Sequence, residues 1–308
     1  MEDYPRNLKE LENRFATEQA CRDYLFSLRW PDGFRCPRCD NRKAWKMRDG
    51  LFRCTSCGYK CSITSGTIFE GTRKPLIFWF HAIWWVTSQK NGASAKNVQR
   101  ILELGSYKTA WVWLHKLRRA MVRPGRERLS GTVEVDETYI GGKKPGKRGR
   151  GAEGKTLVAI AVEDKGKTEI GRIRLSIIPD ASSGSLTSFA QQCIEDESTI
   201  RTDDWTGYSG LRSYGYFHEV VKTTDLKIAH LVISLLKRWL LGTHQGAVSH
   251  EHLAYYLDEY TFRFNRRTSN HRGKLFYRLL QNAMEIEPTN YRAMIRNVRG
   301  QKSKNHKM

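Results

Sequence analysis

Acidic side chains are concentrated in the segment 131–142, which reads GTVEVDETYIGG and alternates as a β-strand does. Glu134, Asp136 and Glu137 lie within four positions of it. Asp is depleted in strands, and like charges on neighbouring pleats repel each other. A second acidic pair, Asp203 and Asp204, ends a later predicted strand in the motif IRTDDW. Carboxylates placed on strands against these costs indicate a role in chemistry rather than in packing.

Cysteine spacing indicates a metal site near the N-terminus. Cys36-x-x-Cys39 and Cys54-x-x-Cys57 are separated by 14 residues. Two such pairs, each carried by a β-hairpin, let four thiolates converge on one structural Zn²⁺. Cys61 lies close enough to compete as a ligand, but it breaks the pairwise spacing. Arginines and lysines flank the pairs, which favours nucleic acid as the partner of this predicted zinc ribbon.

The overall charge also points to a polyanionic partner. The 308 residues include 53 Lys+Arg and 32 Asp+Glu, a net charge of +21. Phosphate backbones reward dispersed cations through counterion release. The chain has no run of 18 apolar residues, and its charged N-terminus lacks the apolar core of a signal peptide. We therefore expect a cytoplasmic protein that binds nucleic acid and no membrane.

Three helices are predicted between residues 75 and 121. KPLIFWFHAIWWVTSQKNG begins with Pro75 in its first turn, and the next two helices have Ser94 and Ser106 as predicted caps. The second and third helices are joined by a short turn containing Gly105, which predicts a helix-turn-helix. The polar faces of the third helix are predicted to carry Lys108, His115, Lys116, Arg118 and Arg119.

The pattern changes after residue 128 to three consecutive strands, a helix, two strands and two long helices. This is the element order of the ribonuclease H-like fold, a mixed five-stranded sheet with flanking helices. The glycine-rich basic segment 142–155 predicts a loop between the first two strands. We thus predict a multidomain α+β and α/β protein. Its domains are an N-terminal helical and zinc-ribbon region (1–70), a helix-turn-helix-like region (71–128), a catalytic domain (129–270) and a basic C-terminal tail (271–308).

In that fold the middle of the first strand faces the end of the fourth, so Asp136 and Asp203 should meet. Two carboxylates would repel there unless a divalent cation neutralised them, and oxygen ligands suit Mg²⁺ or Mn²⁺. His230 and Lys237 are seven residues apart on a predicted helix and share a face. His230 could be the third metal ligand and Lys237 could hold a phosphate, while Glu259 on the following helix is the rival third acid.

At these motifs the chain resembles the DDE-type transposases of insertion sequences that carry a zinc ribbon ahead of the catalytic domain, the ISXO2-like group. The resemblance covers most of residues 30–280 through four motifs: CPRC…CTSCGYKCSITSGTIFEGTRKPL, VEVDETYIGGK, TDDWTGY and SLLKRWLLGTHQGAVSHEHLAYYLDEYTFRFNRR. It implies that Asp136, Asp203 and His230 bind two catalytic Mg²⁺ or Mn²⁺ ions, with Lys237 nearby. The third position is Glu in most relatives, and here it is His230.

The resemblance implies a bacterial, nucleoid-associated enzyme that works as a homo-oligomer, a dimer or larger, on double-stranded DNA. Such an enzyme binds the terminal inverted repeats of its element, cleaves the DNA and joins the 3′-hydroxyl end to target DNA. Two alternatives stay open at this point. One is a DNA-binding regulator whose ribonuclease H-like domain is inactive, and the other is a structure-selective nuclease on the same fold. The missing third carboxylate supports the first alternative, and the Asp136, Asp203 and Lys237 set opposes it.

Overall fold

The chain forms two units, one built from both of its ends and one from its middle. The terminal unit contains Met1–Pro124 and Ser269–Met308, and the central unit is Gly125–Thr268. The computed structural model describes residues 2–123, 125–141, 155–166, 169–245 and 248–295. The predicted loop, except Lys155, and the end of the predicted tail at 296–308 lie outside the described residues. In the described part of the chain, no helix combines the length and apolar character needed to cross a membrane.

The elements follow the predicted order. The first part of the terminal unit contains α1 (Leu8–Arg14), α2 (Glu18–Arg29), β1 (Ala44–Lys46), β2 (Phe52–Cys54), β3 (Lys60–Cys61), α3 (Leu76–Ser88), α4 (Ala95–Ile101) and α5 (Tyr107–Ala120). The central unit contains β4 (Thr132–Ile140), β5 (Thr156–Asp164), β6 (Ile170–Ile177), α6 (Ser183–Cys193), β7 (Thr199–Thr202), β8 (Phe217–Val220), α7 (Lys227–His244) and α8 (Leu253–Phe264). The chain then returns to the terminal unit with α9 (Arg272–Glu285) and α10 (Tyr291–Ile295).

Aromatic side chains form the core of the terminal unit. Phe15, Tyr24, Phe80 and Phe276 contact one another, with ring centroids 4.7 to 6.1 Å apart. These rings come from the start, the middle and the end of the chain. Aromatic side chains bury large apolar areas, so the cluster ties α3 and α9 to the N-terminal helices. Truncating either end of the chain would therefore open this core.

The basic tail predicted from residue 271 begins instead as the buried helix α9. Its apolar residues recur every three or four positions and form one stripe, which packs on α2, α3 and α5. The buried members of this stripe are Leu275, Phe276, Leu279, Leu280 and Ala283. The tail was predicted from the high content of basic residues in this part of the sequence. The same segment also contains the helical period of apolar side chains that packs α9 into the terminal unit.

Most of the basic residues predicted for the polar faces of α5 are buried. His115, Lys116, Arg118 and Arg119 are all less than 9% exposed. Lys116 Nζ donates to the carbonyl oxygen of Ile68 at 2.8 Å, and burial lowers the pKa of this lysine. Helices α3, α4 and α9 pack around α5 in the terminal unit. These basic side chains are therefore buried, although the sequence predicted that they lie on exposed faces of the helix. Lys108, in the first turn of α5, is exposed as predicted.

The sheet of the central unit has the strand order β6-β5-β4-β7-β8. β4 and β6 are antiparallel to β5, whereas β7 is parallel to both β4 and β8. Numbered within this unit, the order is 3-2-1-4-5, with the first strand at the centre. This topology confirms the ribonuclease H-like fold, and a mixed sheet covered by helices accounts for the nearly continuous burial of β5.

Side-chain alternation on β4 gives each face of the sheet a different character. Val133 and Val135 belong to the core formed with α6. The opposite face of the sheet carries the core formed with α7 and α8. Because successive side chains point to opposite faces, Glu134 and Asp136 lie on the face of α7 and α8. Glu134 and Asp136 are thus separated from the valines that hold the strand in the sheet, whereas Glu137 shares the face of the valines.

We expect Gly171→Ala to destabilise the central unit. A Cβ atom at Gly171 would lie 2.6 Å from Cβ and 2.8 Å from Oε2 of Glu163. Glu163 cannot move away easily, because it is buried and accepts hydrogen bonds from the backbone and guanidinium of Arg172. The cost should be about 1–3 kcal/mol, as for other overpacked sites. Urea unfolding followed by circular dichroism measures it.

Gly184→Ala is the matched control, since a Cβ at Gly184 would meet no atom within 4 Å. It lies in α6, where alanine is favoured over glycine by up to about 1 kcal/mol. Equal unfolding midpoints for Gly171→Ala and the unchanged chain would contradict the close contact with Glu163.

Candidate functional site

Four cysteines form a metal-binding cluster in the terminal unit. The sulfur atoms of Cys36, Cys39, Cys54 and Cys57 all lie within 4.8 Å of one another. The Cys36–Cys57 and Cys39–Cys54 sulfur pairs are each separated by 3.6 Å. Tetrahedral zinc with Zn–S bonds of about 2.3 Å places its sulfurs about 3.8 Å apart. The donor set and its spacing therefore fit Zn²⁺.

The two cysteine pairs lie on similar backbone turns. The N–H of Asp40 donates to the Cys36 carbonyl at 2.9 Å, and the N–H of Gly58 donates to the Cys54 carbonyl at 3.1 Å. Both Asp40 and Gly58 have positive φ, 58° and 67°, which closes each turn tightly. The backbone N–H of Cys57 lowers the pKa of the Cys54 thiol to about 6. The second turn thus favours the thiolate form of Cys54, which is the form that binds metal.

The structure refines two details of the ribbon. The second pair lies on the β2–β3 hairpin, as predicted, whereas the first pair lies on a turn ahead of β1 rather than on a hairpin of its own. Cys61 is buried on β3, where it pairs with Phe52 of β2. Among the described residues, Cys61 does not belong to the set of converging sulfurs.

Asp136 lies on β4, and Asp203 directly follows β7, the strand paired in parallel with β4. β4 and β7 are in register from Thr132 and Thr199 to Glu134 and Arg201. The same register continued by two residues brings Asp136 to the level of Asp203, which follows β7 directly. Asp136 lies on the face of α7 and α8, because side chains alternate along β4, and the charge of Asp203 acts on it.

His230, in the first turn of α7, contacts the first aspartate. Its Nε2 lies 3.3 Å from Oδ2 of Asp136, and the side chains are 41% and 17% exposed. Glu259, the rival third acid, is instead buried on α8 and forms an ion pair with Arg263 at 2.8 Å. The contact at Asp136 is thus made by His230, as the seven-residue spacing to Lys237 suggests.

Electrostatics at this site favour the arrival of a cation. The pKa of Asp136 is raised to about 6, mainly by burial. The Glu137 and Asp203 carboxylates also raise this pKa, and the Glu137 N–H and His230 lower it. Burial lowers the pKa of Lys237, against the attraction of the Asp136 carboxylate. Lys237 itself is exposed. A carboxylate that is held near other acids is stabilised when a divalent cation binds beside it.

The catalytic candidates are close together but do not form a closed coordination shell. Across the part of the chain that the structure describes, the four cysteines are the only group of three or more potential ligands within 4.8 Å of one another. Asp136, Asp203 and His230 do not form such a group. Two carboxylates and one imidazole nevertheless supply the oxygen and nitrogen donors that Mg²⁺ or Mn²⁺ accepts.

Three further contacts escaped the sequence analysis. Glu134 is buried and accepts hydrogen bonds from backbone N–H groups at the start of α7. Glu137 accepts a hydrogen bond from the Tyr208 hydroxyl at 2.6 Å. Thr202 lies 2.8 Å from His218 Nε2 and donates to the Asp203 carbonyl. For Glu134, the alternation of side chains along β4 was a signal in the sequence. A residue two positions from Asp136 lies on the same face of the sheet.

Models of known families match the two segments of the chain that contain these residues. A family model described as the ISXO2-like transposase domain matches residues 128–265, and one described as the transposase zinc-ribbon domain matches residues 16–60. A relative in Halobacterium salinarum, an uncharacterized protein in transposable element ISH50, is 28% identical over 280 residues. That alignment covers 81% of this chain and 91% of the relative.

Two solved structures of the Mos1 transposition system are similar at a low level. The Mos1 strand transfer complex matches with a TM-score of 0.26 and 13% identity over 67% of this chain and 75% of that one. A pre-cleavage Mos1 transpososome matches with a TM-score of 0.28 and 11% identity over 72% and 80%. These scores are too low to support any conclusion about this chain. The two matched domains do support one: the chain carries a transposase zinc-ribbon domain followed by an ISXO2-like DDE-type transposase domain.

Proposed function

We propose that this transposase binds the terminal inverted repeats of its element, cleaves the DNA and joins the 3′-hydroxyl end to target DNA by two-metal-ion phosphoryl transfer. The observation that carries the proposal is the His230 imidazole 3.3 Å from Asp136, beside Asp203, which follows the strand parallel to β4 and whose charge acts on Asp136. An element has two ends, so we also propose that two or more chains act together on double-stranded DNA. In a bacterial cell the protein would act in the cytoplasm, at the nucleoid.

Each residue of the site has a distinct proposed role. Asp136 and Asp203 would hold two Mg²⁺ or Mn²⁺ ions, with His230 as the third ligand. Such ions activate the attacking oxygen and stabilise the leaving oxygen of a phosphodiester. Lys237, exposed near Asp136, would hold a neighbouring phosphate. A neutral imidazole adds no negative charge, so we expect Mn²⁺, which accepts nitrogen ligands more readily, to support activity at lower concentration than Mg²⁺.

Asp136→Asn and Asp203→Asn should each abolish cleavage and strand joining while end binding survives. Metal ions supply several kcal/mol of transition-state stabilisation, so rates should fall at least about a hundredfold. His230→Ala should be strongly impaired, whereas His230→Glu should retain activity with Mg²⁺. Cleavage and joining of labelled duplexes carrying the element ends, with binding measured in parallel, provide the test.

Glu259→Gln is the control, because Glu259 pairs with Arg263 rather than with Asp136. It should remain active. An inactive Glu259→Gln beside a normal His230→Ala would make Glu259 the third ligand. Full activity of both Asp variants would contradict the proposed metal ligands. Binding without cleavage by the unchanged chain would indicate a DNA-binding regulator, and cleavage without joining would indicate a nuclease.

End binding is proposed for one face of the ribbon sheet and for the start of α5. Trp45 pairs with Arg53 across β1 and β2, and Arg53 pairs with Lys60 across β2 and β3. All three are exposed, Trp45 by 59%. The guanidinium of Arg53 lies 6.0 Å from the Trp45 ring centroid. Lys108 is exposed in the first turn of α5, the part of a recognition helix that contacts bases. Cations and an exposed ring fit a phosphate backbone with its sugars and bases.

The triple change Trp45→Ala, Arg53→Ala and Lys60→Ala should weaken binding to element ends about tenfold or more. Loss of two phosphate contacts should also lower the slope of log affinity against log salt by about two. Fluorescence anisotropy at several salt concentrations measures both. The control changes Arg6, Leu8 and Lys9 to alanine, which removes two exposed cations and an exposed apolar group from the region of α1. Equal losses in the two variants would exclude the ribbon face as the reader.

Zinc should be required for the fold of the ribbon. Structural zinc contributes folding free energy directly, so Cys36→Ser should lose the metal, unfold the ribbon and abolish end binding. Cys61→Ser is the matched control and should keep one zinc ion per chain, because Cys61 lies outside the sulfur cluster. Metal analysis of the purified chains decides; folded protein that contains no zinc would refute the assignment.

A further inference from the structure

A buried carboxylate outside the proposed metal ligands holds the start of the helix that carries His230. Glu134 of β4 is 4% exposed. Its Oε2 accepts hydrogen bonds from the backbone N–H groups of Ile228 at 3.0 Å and Ala229 at 2.8 Å. The first N–H groups of a helix have no partner within the helix and need an acceptor from elsewhere. Leu226, the residue before α7, has no side-chain acceptor, so a residue of the sheet takes the place of the cap.

Two neighbouring side chains of β4 thus contact consecutive residues of α7. Glu134 bonds to the N–H of Ala229, and Asp136 contacts the imidazole of His230. Glu134 and Asp136 are two positions apart and lie on the same face of the sheet. Ala229 is fully buried against the sheet. These contacts therefore fix the position of the start of α7 along β4 and its distance from that strand.

We infer that Glu134 is a positioning residue: it fixes the first turn of α7 so that His230 stays beside Asp136. The inference rests on the proposed function in assigning Asp136 and His230 to metal binding. A carboxylate at a helix N-terminus also interacts favourably with the helix dipole. The role depends on reach, because the acceptor must span from the strand to the N–H groups of Ile228 and Ala229.

Mn²⁺ binding to the full chain, measured by calorimetry, tests the inference without relying on catalysis. Glu134→Ala should weaken Mn²⁺ binding about tenfold, as loss of a residue that orients a ligand does. Glu134→Gln keeps an acceptor oxygen at the same reach and should bind nearly as tightly as the unchanged chain. Glu134→Asp keeps the charge but is one methylene shorter, so it should behave like the alanine variant. Glu219→Ala removes an exposed carboxylate from the same sheet and should have no effect.

A double variant separates positioning from a general loss of structure. If Glu134 acts through His230, Glu134→Ala should cause no further loss of Mn²⁺ affinity in a chain that already carries His230→Ala. Hydrogen exchange gives an independent readout, since the amides of Ile228 and Ala229 should exchange faster in Glu134→Asp and not in Glu134→Gln. This comparison holds even when Glu134→Ala does not fold.

Two results would overturn the inference. One is tight Mn²⁺ binding by Glu134→Asp together with weak binding by Glu134→Gln, which would mean that charge and not reach matters. The other is an additive loss in the double variant with His230→Ala. Failure of the proposed function has a different signature, because Asp136→Asn would then leave Mn²⁺ binding and DNA cleavage unchanged.

Discussion

Burial of a carboxylate beside other acids is the constraint on which the arrangement of the central unit depends. Asp136 lies on β4 and Asp203 directly follows β7, the strand paired in parallel with β4. Burial is the main cause that raises the pKa of Asp136 to about 6, and the carboxylates of Glu137 and Asp203 add to the effect. The surrounding apolar core cannot relieve this cost. A divalent cation can, and binding it recovers free energy that the metal-free fold has to supply.

The fold controls the other acids of β4 by giving each a specific partner. Glu134 lies on the same face as Asp136 and accepts hydrogen bonds from the start of α7. Glu137 points to the other face and accepts a hydrogen bond from the Tyr208 hydroxyl. A buried carboxylate without such partners would be strongly destabilising. Strand alternation therefore sorts three nearby acids into three environments. Only Asp136 is left in contact with an imidazole that can share a metal ion with it.

In the terminal unit, the constraint is the small size of the zinc ribbon. Three strands of two or three residues each bury little apolar surface, so four thiolates converging on a metal supply what the core cannot. The helices next to it are held by rings from both ends of the chain. The basic residues of the unit consequently divide into two classes. Arg53 and Lys60 stand exposed on the ribbon face, and those in the second half of α5 are buried.

The sequence alone determined the features that depend on local spacing. Cys-x-x-Cys pairs specify a zinc cluster, because the ligand geometry is set within a few residues. Alternation and helical periods specified the strands and helices of the central unit, and their order specified the sheet topology. The seven-residue interval from His230 to Lys237 placed both on one face of α7. A basic tail was predicted where α9 lies, because the prediction used the basic residues of this segment and not the helical period of its apolar stripe.

Tertiary structure alone decided which polar residues are exposed and which carboxylate meets which partner. Burial of the basic residues of α5 depends on α3, α4 and α9, which are distant in sequence. The bond from Glu134 to α7 joins residues more than ninety positions apart, and the ion pair of Glu259 with Arg263 depends on how α8 is buried. Burial and hydrogen bonding are properties of the surroundings of a side chain. Local sequence fixes the direction in which that side chain points, and packing fixes what it meets.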